Sequence, residues 1–548
     1  MLHATSKTPE ENKRTVDQLF DIVGFGPFQY FLIVVGGCAL VGDATEMMLL
    51  SMLGPIVHCF FNVNDPELEA LLTTVVFVGM SLGGVVFGAL ADRKGRRVGL
   101  FATALLCSVG GVLSAVAPTF GFLVFFRFLV GVGLGGVAVA FTYVMEFVPN
   151  AHRGFIGTFI QGWWTVGTFL QVILAWSSMQ TLGWRWVVAL SSLPIFVMLG
   201  FFCFIPESPR FLALKGKDEQ CRQLFLKAAE KNGTLALLPT DFKVTVSESD
   251  ATQSVLASYK EAFSSSYRHD TFLLLIIWFA NALTYYGLVL LTTELAIMRQ
   301  EKIENSTIPI TTNTSLPNTI NYAPAGAPQC GALFDNAFFT EIMVATIAEM
   351  PGLLASILLV DRIGRKRSQT LFFVIVTVVL FLLAIVPRTG GGDTFLLFLA
   401  RASSMASFTI VFLYTPERYP TRFRNTVRHL CLLFDHIVLH HKTNCLLVCL
   451  FLFFDQAMGL CFGFARMGGM VSPLVCQDLP QRGMLGVTFV IMVCVAAIAS
   501  VCTFLLSVET GGKQLTEGSE NKDPRVIIKD GDDFSELSSE QGDSGNSI

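Results

Sequence analysis

The chain has 548 residues, of which 52% are hydrophobic and only 15% are charged, and its formal net charge is −4. Because a water-soluble protein of ordinary composition carries about 25% charged residues, this composition excludes a soluble globular protein. Apolar runs long enough to cross a lipid bilayer as a helix recur along the chain, as at 71–91. The sequence therefore predicts a polytopic, all-α membrane protein.

The predicted spans fall into two groups of six, separated by a polar segment at 206–270. The first group lies at about 28–53, 70–91, 98–117, 121–144, 155–176 and 185–205. The second group lies at about 271–297, 338–360, 370–387, 394–414, 457–477 and 484–507. Residues 1–27 lack the pattern of a cleaved signal peptide, and the polar tail at 508–548 is predicted to be disordered.

The basic loops predict how the chain is oriented in the membrane. DRKGRR at 92–97 and DRIGRKR at 361–367 are rich in Lys and Arg, which favours the cytoplasmic side. Both termini and the 206–270 segment then lie on that side too. The loop at 298–336 falls outside or in a vesicle lumen, where Asn305 and Asn313 match the glycosylation pattern. Cys59 and Cys330 lie on the same side and are candidates for a disulfide bond.

An internal repeat relates the two groups of spans. Asp92, Gly95 and Arg96 recur as Asp361, Gly364 and Arg365. After the fourth and tenth spans, the pattern E-x-x-P-x-x-x-R occurs at 146–153 and again at 417–424. The separation from Asp to Glu is 54 residues in one copy and 56 in the other, and Arg127 is echoed by Arg401. The chain is therefore predicted to be a duplicated six-helix unit.

These motifs, together with PESPR at 206–210, resemble the major facilitator superfamily of transporters. GDATEMMLLSMLGP at 42–55 and NALTYYGLVLLTTEL at 281–295 resemble the branch that contains synaptic vesicle proteins and organic-ion transporters. The resemblance implies a major facilitator fold of twelve transmembrane helices, arranged as two parallel six-helix halves. It covers about 15–512, apart from one segment described below.

The resemblance also implies that the repeated loop motifs act as gates. In this superfamily such loops tie together the cytoplasmic ends of the two halves. The alternative is a set of solvated surface pairs that contribute little energy. The residues assigned to gating are Asp92, Arg93, Gly95, Arg96, Glu146, Arg153, Asp361, Arg362, Gly364, Arg365, Glu417 and Arg424.

Charged residues inside the spans are candidates for a substrate or ion site, because they are costly there and usually face a cavity. Asp43 and Glu46 are three residues apart and share one helical face. Their repeat-related positions, Asn281 and Thr284, are neutral. The alternative reading is structural, with a carboxylate neutralised by a buried Arg such as Arg127. The further candidates are Tyr285, Tyr286, Glu349, Arg401 and Arg466.

The functional prediction is a secondary transporter of a small organic solute, and of an organic ion in particular, with protons as a candidate coupling ion. A sugar is the alternative substrate, and a transport-inactive vesicle protein acting as a receptor is the alternative function. We expect a synaptic or other cytoplasmic vesicle membrane, or the plasma membrane, as its location. We expect no enzyme activity, cofactor or nucleic-acid partner. The GVGLGG run at 131–136 lies inside a span and indicates close helix packing, not a dinucleotide site.

One segment breaks the repeat. Gly162 and Gly167 follow Arg153 by 9 and 14 residues, whereas Gly463 and Gly468 follow Arg424 by 39 and 44. Removing the 30 residues at 427–456 restores the register. We interpret this segment as an insertion, with a translated intron as its hypothesised origin. Its histidines (His429, His436, His440 and His441) are therefore not read as a metal site, and no paired zinc-ligand pattern accompanies them.

The transcript tests the intron hypothesis. We expect sequencing of messenger RNA to show mainly a message in which the codon for Thr426 joins the codon for Ala457 directly. Abundant messenger RNA that retains the intervening segment would refute it.

Overall fold

The computed structural model of the protein describes residues 13–61, 63, 65–239, 242–245, 263–265, 267–307, 334–385, 391–419 and 457–510. The predictions for Asn313, Cys330, Arg424, the 427–456 segment and the tail after residue 510 lie outside these residues. The side chains of Cys59 and Asn305 are likewise outside the description.

The first half of the chain is helical apart from two short strands. Its elements are β1 (Lys13–Thr15), α1 (Val16–Val23), α2 (Pro27–Phe61), α3 (Pro66–Lys94), α4 (Arg96–Ala115), α5 (Phe120–Gly135), α6 (Val137–Met145), α7 (Arg153–Met179), α8 (Trp184–Ser191), α9 (Leu193–Gly200), α10 (Pro209–Leu214), α11 (Asp218–Asn232) and β2 (Lys243–Thr245). Short 3₁₀ turns lie at Asn150–His152, Phe202–Phe204 and Leu235–Leu237.

The second half repeats the helical pattern. Its elements are α12 (Arg268–Thr307), α13 (Asn336–Ile347), α14 (Glu349–Ile363), α15 (Arg365–Ile385), α16 (Gly391–Arg418), α17 (Ala457–Pro473), a π-helical turn (Leu474–Asp478), α18 (Leu479–Gln481) and α19 (Leu485–Leu505).

Ten helical segments within the described residues are long and apolar enough to cross a membrane. Two more helices, α7 and α17, lie where the fifth and eleventh spans are predicted. Large apolar side chains such as Val86, Phe125 and Val490 are exposed on the outer surface. An apolar surface of this extent suits contact with lipid and not with water.

The internal repeat of the sequence is also seen in how the helices of each half pack. A Cβ atom on Gly167 of α7 would lie 2.5 Å from the carbonyl oxygen of Val41 in α2. A Cβ atom on Gly468 of α17 would lie 2.3 Å from the carbonyl oxygen of Phe279 in α12. The same close crossing therefore occurs in both halves, and it makes Gly468 the equivalent of Gly167.

The N-terminal segment and the central loop fold together at the end of the first half. Strands β1 and β2 pair in parallel, with Arg14 opposite Val244. Phe20 of α1 packs against Phe225 of α11 with ring centroids 4.8 Å apart. Asn232, the last residue of α11, accepts a hydrogen bond from the amide of Phe28 at 3.1 Å. This arrangement could not be predicted from the sequence, because strands of three residues leave little hydropathy pattern.

Asp17 links the N-terminal segment to the transmembrane bundle through ion pairs. Its carboxylate lies 2.6 Å from Nη2 of Arg153 and 2.9 Å from Nη2 of Arg210. Burial alone would raise the pKa of the Asp17 carboxyl, but the guanidinium groups of Arg210 and Arg153 hold it below its ordinary value of 3.8. The free energy that these ion pairs contribute to folding is therefore present at neutral pH. It is lost only as the pH falls towards the lowered pKa of Asp17.

The glycine run in α5 packs closely against α3, which confirms the packing interpretation of that run. A Cβ atom on Gly131 would lie 2.3 Å from the carbonyl oxygen of Val76. A Cβ atom on Gly83 of α3 would lie 1.7 Å from the carbonyl oxygen of Val132. The two backbones can approach this closely only because these positions lack side chains.

We expect Gly83→Ala to destabilise the protein by about 1–3 kcal/mol or more, because the added methyl group forces α3 and α5 apart. Gly88→Ala on the same helix is the matched control, since a Cβ atom there meets nothing within 4 Å. The measurement is the melting temperature of each purified variant in detergent. Equal melting temperatures for the two variants would contradict the packing argument.

Candidate functional site: a charged centre between two halves

A buried ion pair occupies the centre of the first half. Nη1 of Arg127 in α5 lies 2.6 Å from Oε2 of Glu46 in α2, and both side chains are at most 2% exposed. The Oγ of Ser191 donates to Oε1 of Glu46 at 2.8 Å, and Nε of Arg127 donates to Oγ of Ser114 at 3.0 Å. Arg127 therefore neutralises Glu46. Of the two carboxylates that the sequence singled out, Asp43 and Glu46, the structural alternative thus holds for Glu46.

A second buried pair occupies the centre of the second half. Nη2 of Arg401 in α16 lies 2.9 Å from Oε1 of Glu349 in α14. Three hydrogen bonds extend the pair into the first half. Tyr285 donates to Glu349 at 2.8 Å, Trp164 donates to the Tyr285 hydroxyl at 2.5 Å, and Thr168 donates to Glu349 at 3.0 Å.

The two pairs are related by the repeat only in part. The arginines lie in corresponding helices, α5 and α16, about one helical turn apart in the repeat, since Arg127 precedes Glu146 by 19 residues and Arg401 precedes Glu417 by 16. The carboxylates come from different helices, α2 in one half and α14 in the other. A buried guanidinium needs a counter-charge, and removing one partner of such a pair typically costs about 3–5 kcal/mol. Each half supplies the counter-charge from a carboxylate at a different place in the sequence. The repeat therefore does not reveal which carboxylate pairs with which arginine.

The remaining candidates lie around the pairs. Asp43 is 4% exposed, and its Oδ1 has no hydrogen-bond partner among the described atoms. Nη1 of Arg466 in α17 contacts Sδ of Met80 at 3.3 Å. The Tyr286 ring packs on the Phe77 ring with centroids 5.0 Å apart. Asn281 accepts a hydrogen bond from Ser407 at 2.8 Å, so it belongs to a network within the second half.

One end of the molecule carries the repeated basic loops, and we call it the basic end. Arg96 lies 2.7 Å from Asp92 and 3.2 Å from Glu146. In the second half Arg365 lies 3.2 Å from Glu417 and 3.6 Å from Asp361. Each of these ion pairs lies within its own half, so among the described residues they do not form the tie between the halves that the resemblance implied.

Arg93 and Arg362, the other two loop-motif arginines that were assigned to gating, are exposed. Arg153 bonds to Asp17 in its own half, as described above. The gating assignment of these residues, with Gly95 and Gly364, therefore stays a prediction.

Two further carboxylates at the basic end, which the sequence analysis did not single out, cap helices. Glu207 accepts from the amide of Arg97 at 3.2 Å, and Glu509 accepts from the amide of Arg365 at 2.6 Å. Each thereby caps the positive N-terminus of a helix, α4 or α15. Gly95 and Gly364 have φ angles of 111° and 91°, and a Cβ atom on either would collide with the capping carboxylate.

The matching signal in the sequence is short. Glu-Ser at 207–208 and Glu-Thr at 509–510 follow the last helix of each half. Ser208 bonds to Glu146, and Thr510 bonds to Glu417 at 2.6 Å, in the same relative position. A two-residue match is too common by chance to be recognised before the fold is known.

The end opposite to the basic end carries polar contacts between the halves, which we call the clasp. Arg482 lies 2.6 Å from Glu67, and the Gln481 amide donates to Glu69 at 2.9 Å. Gln180 donates to the carbonyl oxygen of Phe334 at 2.8 Å. Among the described residues, the hydrogen bonds between the halves lie at the clasp or at the centre, so these residues join the halves there and not through the basic-end ion pairs.

Comparison with known proteins decides the family. The model of the family described as "Sugar (and other) transporter" matches residues 47–521. "Organic cation/carnitine transporter 7" from Arabidopsis thaliana is 32% identical, over 93% of this chain and 97% of that protein. "Synaptic vesicle 2-related protein" from Xenopus laevis is 33% identical, over 93% of this chain and 84% of that protein.

The chain belongs to this transporter family. A solved structure of the xylose transporter XylE from E. coli, in a partially occluded inward-open conformation, matches with a TM-score of 0.60 and 16% identity. It covers 88% of this chain and 99% of XylE. The major facilitator fold is therefore confirmed, and this transporter is a multi-pass membrane protein and not an enzyme.

The buried pairs of the transporter can be tested by a double-mutant cycle. We expect Arg127→Met to destabilise the protein by about 3–5 kcal/mol, because Glu46 is left buried without a counter-charge. Adding Glu46→Leu should recover much of the loss. The measurement is unfolding of each purified variant in mixed detergent micelles.

The matched control is the same cycle on Glu67 and Arg482, whose side chains are 68% and 38% exposed. Its coupling should be far smaller, since solvent screens an exposed pair. Additive effects for Arg127 and Glu46 would show that the pair does not hold the centre together.

Proposed function

We propose that this chain is a secondary active transporter that moves a small organic ion by alternating access. The observation that carries the proposal is a buried ion pair at the centre of each of two halves, whose hydrogen bonds to each other, among the described residues, lie at the clasp and at the centre. A membrane protein keeps ionised groups at mid-depth where they face a solute or ion pathway. We take the seam between the halves as that pathway.

The transport cycle follows from this arrangement. With the clasp closed, the centre is reached from the basic end, which we place on the cytoplasmic side. Transport to the other face requires breaking Arg482–Glu67 and Gln481–Glu69 while the basic ends of the halves approach each other. The Glu207 and Glu509 caps keep each half rigid, so that the halves rock as units.

We propose protons as the coupling ion, with Asp43 as the carrier. Asp43 is buried, and among the described residues its carboxylate takes part in no ion pair, so a proton could neutralise it without breaking either buried pair. The alternative substrate is a sugar, which the family description and the name of XylE support. A carrier of neutral sugars would have less use for Asp43 and Arg466, two charges outside the buried pairs.

The location is proposed from the relatives. The name of the Xenopus laevis relative favours a vesicle membrane as the location of this protein. The termini would then be cytoplasmic, and the loop that carries Asn305 and Asn313 would be luminal and glycosylated. A disulfide between Cys59 and Cys330 remains a proposal for the same side.

Uptake into proteoliposomes tests the function. We expect at least one compound from a panel of organic cations, anions and sugars to accumulate when a pH gradient is imposed. Both the full chain and a version in which Thr426 joins Ala457 are reconstituted. Asp43→Asn should abolish accumulation driven by the gradient, because that residue can no longer exchange a proton, while Glu230→Gln on the exposed face of α11 should not.

Two results would contradict the proposal. No flux and no binding for any compound, in either version, would favour the receptor alternative. Accumulation that is unaffected by Asp43→Asn would remove Asp43 from the coupling step.

A further inference from the structure

The clasp holds two buried carboxylates, one from each half. Glu69 lies in the first turn of α3 and Glu294 lies in α12, and each residue is 3% exposed. The amide group of Gln481 donates to Oε2 of Glu69 at 2.9 Å and to Oε1 of Glu294 at 3.2 Å. The two carboxylates are therefore close enough for one small group to contact both.

The duplicated scaffold requires neither carboxylate. Counted from the repeated loop motifs, Glu69 corresponds to Phe338 in the second half. Counted from the close helix crossings described above, Glu294 corresponds to Ile56 in the first half. Both Phe338 and Ile56 are buried and apolar. Each half therefore folds with an apolar residue where the other half buries a carboxylate. Because burying a carboxylate is costly, a function for the two glutamates is indicated.

A third buried polar side chain, that of Gln477, faces the same place. It lies in the π-helical turn Leu474–Asp478, and turns of this kind often occur at functional sites. Gln477 is fully buried, and neither polar atom of its amide has a hydrogen-bond partner among the described residues. A buried amide without partners costs free energy, so a ligand beside Gln477 is indicated.

Gly54 of α2 leaves a space between Gln477 and Glu69, which we call the Gly54 cradle. A Cβ atom on Gly54 would lie 3.3 Å from Nε2 of Gln477 and 3.3 Å from Oε2 of Glu69. A single atom or ion in the cradle would therefore contact both side chains. Rotation about the last side-chain bond lets Gln477 present its amide oxygen to that ion in place of its nitrogen.

The cradle is close to water at the end opposite to the basic end. Glu67 and Arg482 are next to Glu69 and Gln481 along the chain, and their side chains are 68% and 38% exposed. Arg482 pairs with Glu67 and also with Asp478. An ion from solution can therefore reach the cradle past this exposed pair.

We propose that the Gly54 cradle binds a hard divalent cation of the calcium class. Two carboxylates match a charge of +2, and Glu69, Glu294, Gln477 and Gln481 carry six side-chain oxygen atoms between them. Ca²⁺ accepts about six to eight oxygen ligands in a flexible geometry, whereas Mg²⁺ demands a near-ideal octahedron at shorter distances. Four long side chains from three helical segments suit the flexible geometry better.

The bound ion would act on the clasp and not on the solute. Glu69 and Glu294 belong to opposite halves, so an ion that both of them ligate joins the halves at this end. The ion therefore holds the clasp closed and favours the state that is open at the basic end. This role goes beyond the proposed transport function, because it concerns which state of the protein is populated.

Isothermal titration calorimetry of the full chain in a non-ionic detergent tests the site, with Ca²⁺ as the probe and with Mg²⁺ and Na⁺ as comparisons. We expect Ca²⁺ to bind with a Kd on the order of 0.1–1 mM, which is the range of calcium sites outside the cytosol. We expect Mg²⁺ and Na⁺ to bind at least about tenfold more weakly. Ca²⁺ should also raise the melting temperature of the protein.

Three variants assign the ion to the cradle. Glu69→Gln and Glu294→Gln should abolish Ca²⁺ binding. Gly54→Ala keeps every ligand but fills the cradle, so it should weaken binding by at least about tenfold. Because the added methyl group meets only the ends of two side chains, Gly54→Ala keeps the test decisive even if a glutamate variant fails to fold.

Two matched controls accompany these variants. Gly88→Ala adds a methyl group that meets nothing within 4 Å. Glu341→Gln removes a carboxylate that pairs with Arg299 at 2.7 Å, outside the cradle. Both should bind Ca²⁺ as the unmodified protein does.

Three outcomes would overturn the proposal. Ca²⁺ binding that is unchanged in Gly54→Ala and in the two glutamate variants would place the ion elsewhere. Equal affinities for Ca²⁺, Mg²⁺ and Na⁺ would rule out the calcium class, and no heat and no thermal shift with any ion would rule out the site. None of these results depends on transport of a solute, so the inference and the proposed function fail separately.

Discussion

A charge at membrane depth must be paired, and the structure depends on that constraint. Arg127 and Arg401 lie in corresponding helices of the two halves, and each is neutralised by one carboxylate within 3 Å. Glu46 belongs to the first long helix of its half, whereas Glu349 belongs to the second. The Glu349 pair also reaches across the seam through Tyr285 and Trp164. The requirement for neutrality therefore fixes how the helices of each half pack and where the halves meet.

The same constraint explains why the ends of the molecule differ. At the basic end, carboxylates serve their own half, as Glu207 and Glu509 do by capping α4 and α15. At the clasp, polar groups reach across to the other half, as Arg482 and Gln481 do. The Arg482–Glu67 pair of the clasp is exposed and therefore weak, so it can break without a large penalty. Rigid halves joined by weak contacts are suited to a rocking motion.

Much of this organisation was predictable from the sequence. The apolar runs and the duplicated loop motifs predicted the fold, and the repeat drew attention to Arg127 and Arg401 as the intramembrane arginines of corresponding spans. The partner of Arg401 was not predictable in this way, because Glu349 has no counterpart in the repeat at Met80. Glu509 was missed because its signal is two residues long. The attachment of Asp17 to Arg153 and Arg210 was missed because it joins positions more than a hundred residues apart.

Spin-label distances measured at both ends test most directly the claim that rigid halves rock about a charged centre. Labels at Leu182 and Met484 report the clasp end, and labels at Phe155 and Ile363 report the basic end; all four side chains are exposed. Replacing Gln481 and Arg482 by Ala removes the clasp contacts to Glu69 and Glu67 in the absence of a substrate. The account predicts that the clasp-end distance then lengthens while the basic-end distance shortens. A clasp end that opens while the basic end stays unchanged would contradict it.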